Sequence, residues 1–301
     1  LKYTESELLL GILMAVRMGS FALMQPLFGL LADRVNRKKL MIITNLFQIG
    51  LALAFLGVNG PEDMWWMFTV SGIMMALHGL YVTAERAALP NIVSKEDLAT
   101  ANALDSATWS TALCLGAFSG GLVVSVFGEN VAFIIDSITF LFGTLMLLPL
   151  VIPQTFDKSS EGSLIKSSLK DIWLGQKRIQ SEPRLLRIIF AKTSWNIAGG
   201  GLAGVFLVLA GNEITFVGTA LGFGIFFFAR GIGTGIGPIL ARSVFKDSTK
   251  WPKMVGLLII VSGFFYTLVG LSLGGPILLT LALVTLAHTA SGGNWVLSTV
   301  L

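Results

Sequence analysis

The sequence predicts an all-α polytopic membrane protein. Three observations carry that prediction. Only 13% of the 301 residues are charged while 54% are hydrophobic, against about 25% charged in an ordinary soluble domain. The apolar residues come in uninterrupted blocks, each long enough to cross a hydrocarbon core of about 30 Å at about 1.5 Å per residue. The basic residues gather in alternate connections between those blocks, as positive charge does when it is retained on one face of a membrane. A transmembrane β-barrel would instead show alternating segments of about ten residues, and the sequence has none.

About nine transmembrane helices are expected, over residues 8–32, 40–58, 65–84, 106–127, 131–153, 186–210, 214–241, 254–274 and 276–301. The connections after the first, third, fifth and seventh, counted to Arg187 at the very start of the sixth span, hold 17 of the 21 Lys and Arg residues. The opposite connections are free of Lys and Arg and slightly acidic. The basic side is therefore read as cytoplasmic, which places the loop 33–39 and the linker 154–185 inside and the protein in the plasma (inner) membrane. The linker splits an N-terminal half, 1–153, with five spans, from a C-terminal half, 186–301, with four. Ile165, Leu169, Ile172 and Trp173 recur in it at helical spacing among Lys166, Lys170, Lys177 and Arg178. That pattern fits either a helix lying on an anionic leaflet or a solvated tether. Ser94-Lys95-Glu96-Asp97 has the spacing of a capping box and suggests a second short cytoplasmic helix.

The first connection is the densest in charge: Gly29-Leu30-Leu31-Ala32-Asp33-Arg34-Val35-Asn36-Arg37-Lys38-Lys39. Asp33 lies at the C-terminal, negative pole of a helix, an unfavourable place for an acid unless another group receives it. Inside the spans, Arg17, Lys192 and Arg230 carry charge. Lys192 is close enough to the cytoplasmic end to snorkel. Arg17 and Arg230 lie near mid-depth, where an ionised side chain is expensive and faces either a cavity or an ion pair. Asp136 is a possible structural partner.

The two histidines, His78 and His288, both fall near the middle of a span, 210 residues apart. Gly29-Leu30-Leu31-Ala32-Asp33 and Pro238-Ile239-Leu240-Ala241-Arg242 are related by a shift of 209. One internal repeat would thus put both histidines at equivalent positions, as in transporters built from parallel repeats. Each is either a proton-coupling group or a neutral imidazole hydrogen-bonded between helices. Trp195, Asn196, Asn294 and Trp295 could line the same pathway. Gly116, Gly120 and Gly121, and the interleaved pairs Gly231/Gly235 and Gly233/Gly237, offer small-residue faces for helix packing. Gly231 to Gly237 is not a nucleotide loop, because no strand precedes it. The sequence gives no metal-ligand spacing and no nucleophile beside a base; no cofactor, metal or enzymatic role is expected. The pI near 9.3 reflects the loop charges, and no nucleic-acid partner is inferred. Cys114 is the single cysteine.

These residues resemble the major facilitator superfamily. Gly29-x-x-x-Asp33-Arg34-x-x-Arg37-Lys38 is similar to its signature between the second and third helices, with Asn36 where a second glycine is usual. Glu85-Arg86-Ala87-Ala88-Leu89-Pro90 through Ala101-Asn102-Ala103-Leu104 resembles the efflux branch that contains the enterobactin exporter and macrolide-efflux proteins. Gly116-Ala117-x-x-Gly120-Gly121 is similar to the exporter motif G-P-x-x-G-G, with Ala117 in place of proline. The resemblance implies twelve helices in two halves, the visible spans being the second to tenth of a longer protein. It further implies alternating access around a central cavity.

The expectation from all of this is a secondary active transporter, monomeric in the bilayer, exporting a small amphipathic molecule in exchange for protons. Its proton-coupling candidates are His78, His288 and Glu85. Its pathway candidates are Arg17, Arg230, Trp195, Asn196 and Asn294. Its conformational latch is Gly29, Asp33, Arg34, Arg37 and Lys38, and the partner of Asp33 implied by the resemblance is the family's eleventh helix. A lipid or lysolipid flippase on the same fold, and a non-transporting receptor or scaffold, are the alternatives.

Overall fold

The computed structural model describes residues 6–154, 164–197, 203–212 and 218–300. The described residues are helical with no strand, and eight helices are long and apolar enough to cross a membrane. The helices are α1 (Glu7–Arg34), α2 (Arg37–Ala54), α3 (Met64–Ile92), α4 (Leu98–Phe127), α5 (Glu129–Leu147) and α6 (Leu164–Ser181), followed by α7 (Pro183–Trp195), α8 (Ala203–Asn212), α9 (Thr219–Val244), α10 (Trp251–Ser272) and α11 (Ile277–Val300).

Local chemistry sets the helix ends. Ser6 caps α1 by accepting from the Leu9 amide at 3.3 Å, and Asn36 caps α2 by accepting from the Lys39 amide at 2.9 Å. Asn36 thus acts where the usual glycine cannot, since a side-chain oxygen satisfies one of the first amides of the helix. Before α3, the Asp63 carboxylate gathers the amides of Asn59 at 2.9 Å and Gly60 at 3.3 Å. Gly128 and Gly274, with φ of 83° and 78°, make turns a β-carbon would oppose.

One expectation changes. The short helix at Ser94 is the start of α4: Ser94 Oγ accepts from the Asp97 amide at 3.2 Å, and the helix then runs unbroken from Leu98 to Phe127. The intervening Leu-Ala-Thr-Ala-Asn-Ala-Leu sequence has nothing to stop it. Within the sixth span, expected over 186–210, the described residues form α7 and α8, and residues 198–202 between them lie outside the described set. The Asn196 amide is shared between the carbonyls of Lys192 and Thr193 at the end of α7. The helix expected in the linker is α6. Of its apolar stripe, Ile172 and Trp173 are exposed and Lys177 lies 5.2 Å from the Trp173 ring; the side chains of Ile165, Lys166 and Leu169 lie outside the described set.

The chain forms two compact units, residues 1–101 with 129–181, and residues 102–128 with 182–301. In the first, α3 packs against both α1 and α2, and α2 against α5. In the second, α11 packs against both α9 and α10, and α9 against α8. The third helix of each triplet α1–α2–α3 and α9–α10–α11 thus touches the other two, which is the arrangement an internal repeat produces. Phe28, Ala32, Leu40, Met41, Leu80, Ala84 and Leu147 form the core of the first unit. Leu207, Ala210, Phe226, Ala229, Val269 and Val284 form that of the second. Many large apolar side chains point outwards instead, Leu23 and Leu271 at 78% exposure each, as lipid-facing helix surfaces require.

Candidate functional site

The charged hairpin between α1 and α2 is built around helix ends. The last carbonyls of a helix lack intrahelical donors and carry its negative pole, and basic side chains fill that need here. Arg37 donates from Nε to the Ala32 carbonyl of α1 at 3.1 Å and from Nη1 to the Ala87 carbonyl of α3 at 2.7 Å. Its Nη2 meets Asp33 Oδ1 at 3.3 Å. Lys38 donates to the Leu148 carbonyl, just past α5, at 2.7 Å. One arginine and one lysine therefore tie together the end of α1, the last two turns of α3 and the residue that follows α5.

Gln154, which sequence reasoning left at the edge of the linker, completes the hairpin. It accepts the Arg37 amide at 2.9 Å and donates to the Val35 and Ala32 carbonyls at 3.1 and 3.4 Å. Its one signal in sequence is that it is the first polar residue after a long apolar run. Arg34 is the last residue of α1, and a β-carbon on Gly29 would meet nothing within 4 Å. The Asp33 side chain is 69% exposed, so its contact with Arg37 is a surface one and contributes little by itself. The counterpart hairpin after α9 is held by the Trp251 indole, which donates to the Phe245 carbonyl at 2.8 Å. There Asp247 accepts from Thr249 Oγ1 at 2.6 Å and from its amide at 3.1 Å, and these bonds hold its carboxyl below the usual carboxylate range.

Within the first unit, α1 presents Arg17, Phe21, Gln25 and Phe28 at helical spacing towards α3. Gly79 allows the approach: a β-carbon there would come within 3.1 Å of Gln25 and Phe21. Thr83 donates to Gln25 Oε1 at 3.1 Å, and the rings of Phe21 and His78 lie 6.3 Å apart. The charges of Arg17 and Arg86 act on His78. Glu85 is exposed about two helical turns further along α3, away from the imidazole. Asp136 is half-buried on α5 and does not pair with Arg17 among the described residues.

The second unit has the corresponding cluster. His288 on α11 is hydrogen-bonded through Nε2 to the Tyr266 hydroxyl of α10, their rings edge to face at 5.4 Å. Arg230 on α9 acts electrostatically on both and lies 5.0 Å from the centroid of the Phe227 ring. Its Nε is buried with no hydrogen-bond partner. Tyr266 was not singled out from sequence, although a lone tyrosine deep in an otherwise apolar span was the available signal. Each unit thus sets an arginine of its first repeat helix near a histidine of its third. An imidazole with a bonded hydroxyl can hold and pass a proton, and an unpaired guanidinium can take an anion.

A second polar group joins α7 and α11. Lys192 Nζ sits 4.8 Å from the Trp295 ring centroid, and the Trp195 and Trp295 rings are 5.9 Å apart. Asn294 is 1% exposed, and neither its Oδ1 nor its Nδ2 is hydrogen-bonded; the buried Trp195 indole nitrogen also lacks a partner. Unsatisfied buried groups of this kind are uncommon and call for a ligand, a water or a second conformation. Asn196 is exposed at the end of α7.

The glycines of α9 divide between two neighbours. Gly233 and Gly237 lie against the Thr285 and Thr289 carbonyls of α11, while Gly231 lies against Cys114 of α4, where a β-carbon would come 2.5 Å from the Cys114 Cα. Gly235 faces Ser110 of α4 at an ordinary 3.5 Å. On α4 it is Gly121 that approaches α9 closely, since a β-carbon there would lie 2.6 Å from the Ala220 carbonyl oxygen; β-carbons on Gly116 and Gly120 would meet nothing within 4 Å. Among the described residues no group of His, Cys, Asp and Glu could hold a metal ion.

Comparison with known proteins agrees with this architecture. The family described as Major Facilitator Superfamily matches residues 2–301. Among curated proteins, the chain is similar to two uncharacterised transporters of this type from Bacillus subtilis. It is 24% identical to YfiS over 177 residues, 58% of this chain and 42% of the relative. It is 26% identical to YkuC over 180 residues, with the same shares covered. The match thus spans less than half the length of either relative.

Proposed function

The chain belongs to the major facilitator superfamily, and on that premise we propose that it works as a secondary active transporter, exporting a small amphipathic molecule across the plasma membrane in exchange for protons. The observation that carries this reading is the repeated arginine–histidine arrangement. His288, bonded to Tyr266 beside Arg230, and His78, near Arg17, are protonatable groups at membrane depth in equivalent helices. A charge there is expensive unless it serves the pathway. Protonation of either imidazole adds positive charge beside an arginine, so the proton alters how strongly that electrostatic site holds a charged cargo. The unsatisfied Asn294 and Trp195 supply hydrogen-bonding groups for the cargo. The α1–α2 hairpin, with Asp33 outermost, acts as a cytoplasmic latch between conformations. The efflux direction rests on the resemblance of Glu85 to Leu104 to exporters.

The test is transport by the full-length protein in proteoliposomes, using amphipathic fluorophores of either charge and an imposed pH gradient. Replacing both histidines, His78→Gln with His288→Gln, should abolish pH-driven flux. Unchanged flux in the double variant would remove proton coupling through these residues. Lysolipid transfer between leaflets without any gradient would identify a flippase instead, and binding without flux a receptor.

A further inference from the structure

We infer that Arg230 is the anchor of an anion-binding site, and that the cargo is an amphipathic organic anion rather than a cation or a neutral molecule. The inference rests on the transport reading above and narrows it. Arg230 lies near the middle of α9, and among the described residues no acidic group pairs with its guanidinium. Helices α7, α8, α9, α10 and α11 contain no Asp or Glu anywhere along their length. The other helix packed on α9 is α4, whose one acid is Asp105. Asp105 precedes Cys114, the residue against Gly231, by nine positions, about 13 Å along a helix, and its side chain is exposed.

What surrounds Arg230 suits an anion with an apolar body. Its Nε is buried and without a hydrogen bond, leaving part of a planar fork of N–H donors that matches carboxylate, sulfonate or phosphate oxygens. The Tyr266 hydroxyl and the His288 imidazole add polar atoms within electrostatic reach. Phe227 lies against the guanidinium, and Phe206 stands edge-on to Tyr266 at 6.4 Å, giving aromatic surface beside the charge. A cationic cargo would meet this arginine unscreened, and a neutral one would leave it unpaired at membrane depth.

Equilibrium binding to the full-length protein in nanodiscs, with no gradient, tests this. The probe is radiolabelled 1-naphthalenesulfonate, with 1-naphthylmethylammonium and 1-naphthalenemethanol as the matched cation and neutral. The expected result is saturable sulfonate binding, preferred over both analogues and resistant to excess chloride. Arg230→Gln should weaken it about tenfold or more, since a buried partner of a charged group is lost. Sulfonate binding unaltered in a monodisperse Arg230→Gln protein overturns the inference, as does a wild-type preference for the ammonium or the alcohol. Displacement by chloride would assign the site to a small inorganic anion and overturn the organic cargo. If Arg230→Gln does not fold, Arg230→Lys decides: preference for sulfonate over ammonium should survive with reduced affinity, and its loss counts against the site. Because this binding needs neither flux nor protons, failure of proton coupling leaves it intact, and its failure leaves pH-driven transport intact.

Discussion

Arg37 shows how a single residue can hold a membrane hairpin together. Its guanidinium meets the ends of α1 and α3 and the side chain of Asp33 from three directions, a geometry that a lysine's point charge cannot copy. Arg37→Ala leaves the Ala32 carbonyl dependent on Gln154 and the Ala87 carbonyl without this donor. It is expected to destabilise the protein by about 1–3 kcal/mol, read as a lower apparent melting temperature in detergent, and Arg37→Lys should recover only part of the loss. Asp33→Asn should behave differently. The acid is largely exposed, so its removal costs stability less than about 1 kcal/mol, yet under the latch reading it slows transport. A melting temperature that falls as far for Asp33→Asn as for Arg37→Ala would show that Asp33 is structural. The sequence made Arg37 and Asp33 visible because charges are rare in such a chain. Gln154 was hidden because it acts across more than a hundred residues on backbone groups that no pattern of side chains records.

Helix α9 shows what small residues do when they recur at every second position. Gly231, Gly233, Gly235 and Gly237 form two interleaved faces, and α4 and α11 each take one. The close approach needs the missing β-carbon at specific positions only. Gly237→Ala would drive a methyl into the Thr289 carbonyl and to 2.8 Å from the Gly293 nitrogen, both backbone atoms that cannot turn aside. A loss of about 1–3 kcal/mol is expected. Gly235→Ala meets only Ser110 at 3.5 Å and should be neutral or gain about 0.5–1 kcal/mol from helix propensity. Thermal unfolding of the two variants in one detergent checks the contrast, and equal effects would refute the assignment of faces. Glycine spacing alone revealed that the helix packs closely, but not which glycines bear the contact, because that depends on where the neighbour's carbonyls fall.

For the molecule as a whole, the legible quantity was the distribution of charge. Counted to Arg187 at the start of the sixth span, seventeen of 21 basic residues follow the first, third, fifth and seventh spans, and the helices lie almost where the apolar blocks put them because lipid forces every backbone group into intrahelical bonds. That asymmetry makes a prediction about orientation that no internal contact can supply. Moving a Lys or Arg through the bilayer works against both the hydrocarbon and a potential worth about 2.3 kcal/mol per charge per 100 mV, whereas short connections without basic residues carry no such penalty. The native Cys114, half-buried with its thiol 3.5 Å from the Phe228 carbonyl, can be replaced first by Cys114→Ser. Single cysteines are then placed at exposed positions: Glu62→Cys and Pro276→Cys in the connections without basic residues, Lys95→Cys and Lys246→Cys in the basic ones. In intact cells an impermeant maleimide should label the first pair, and the second pair only after permeabilisation. The reverse pattern would invert the protein in the membrane and turn the proposed export into uptake. Labelling of all four in intact cells would break the alternation of spans itself, since an odd number of crossings must separate Glu62 from Lys95 for the repeat to hold.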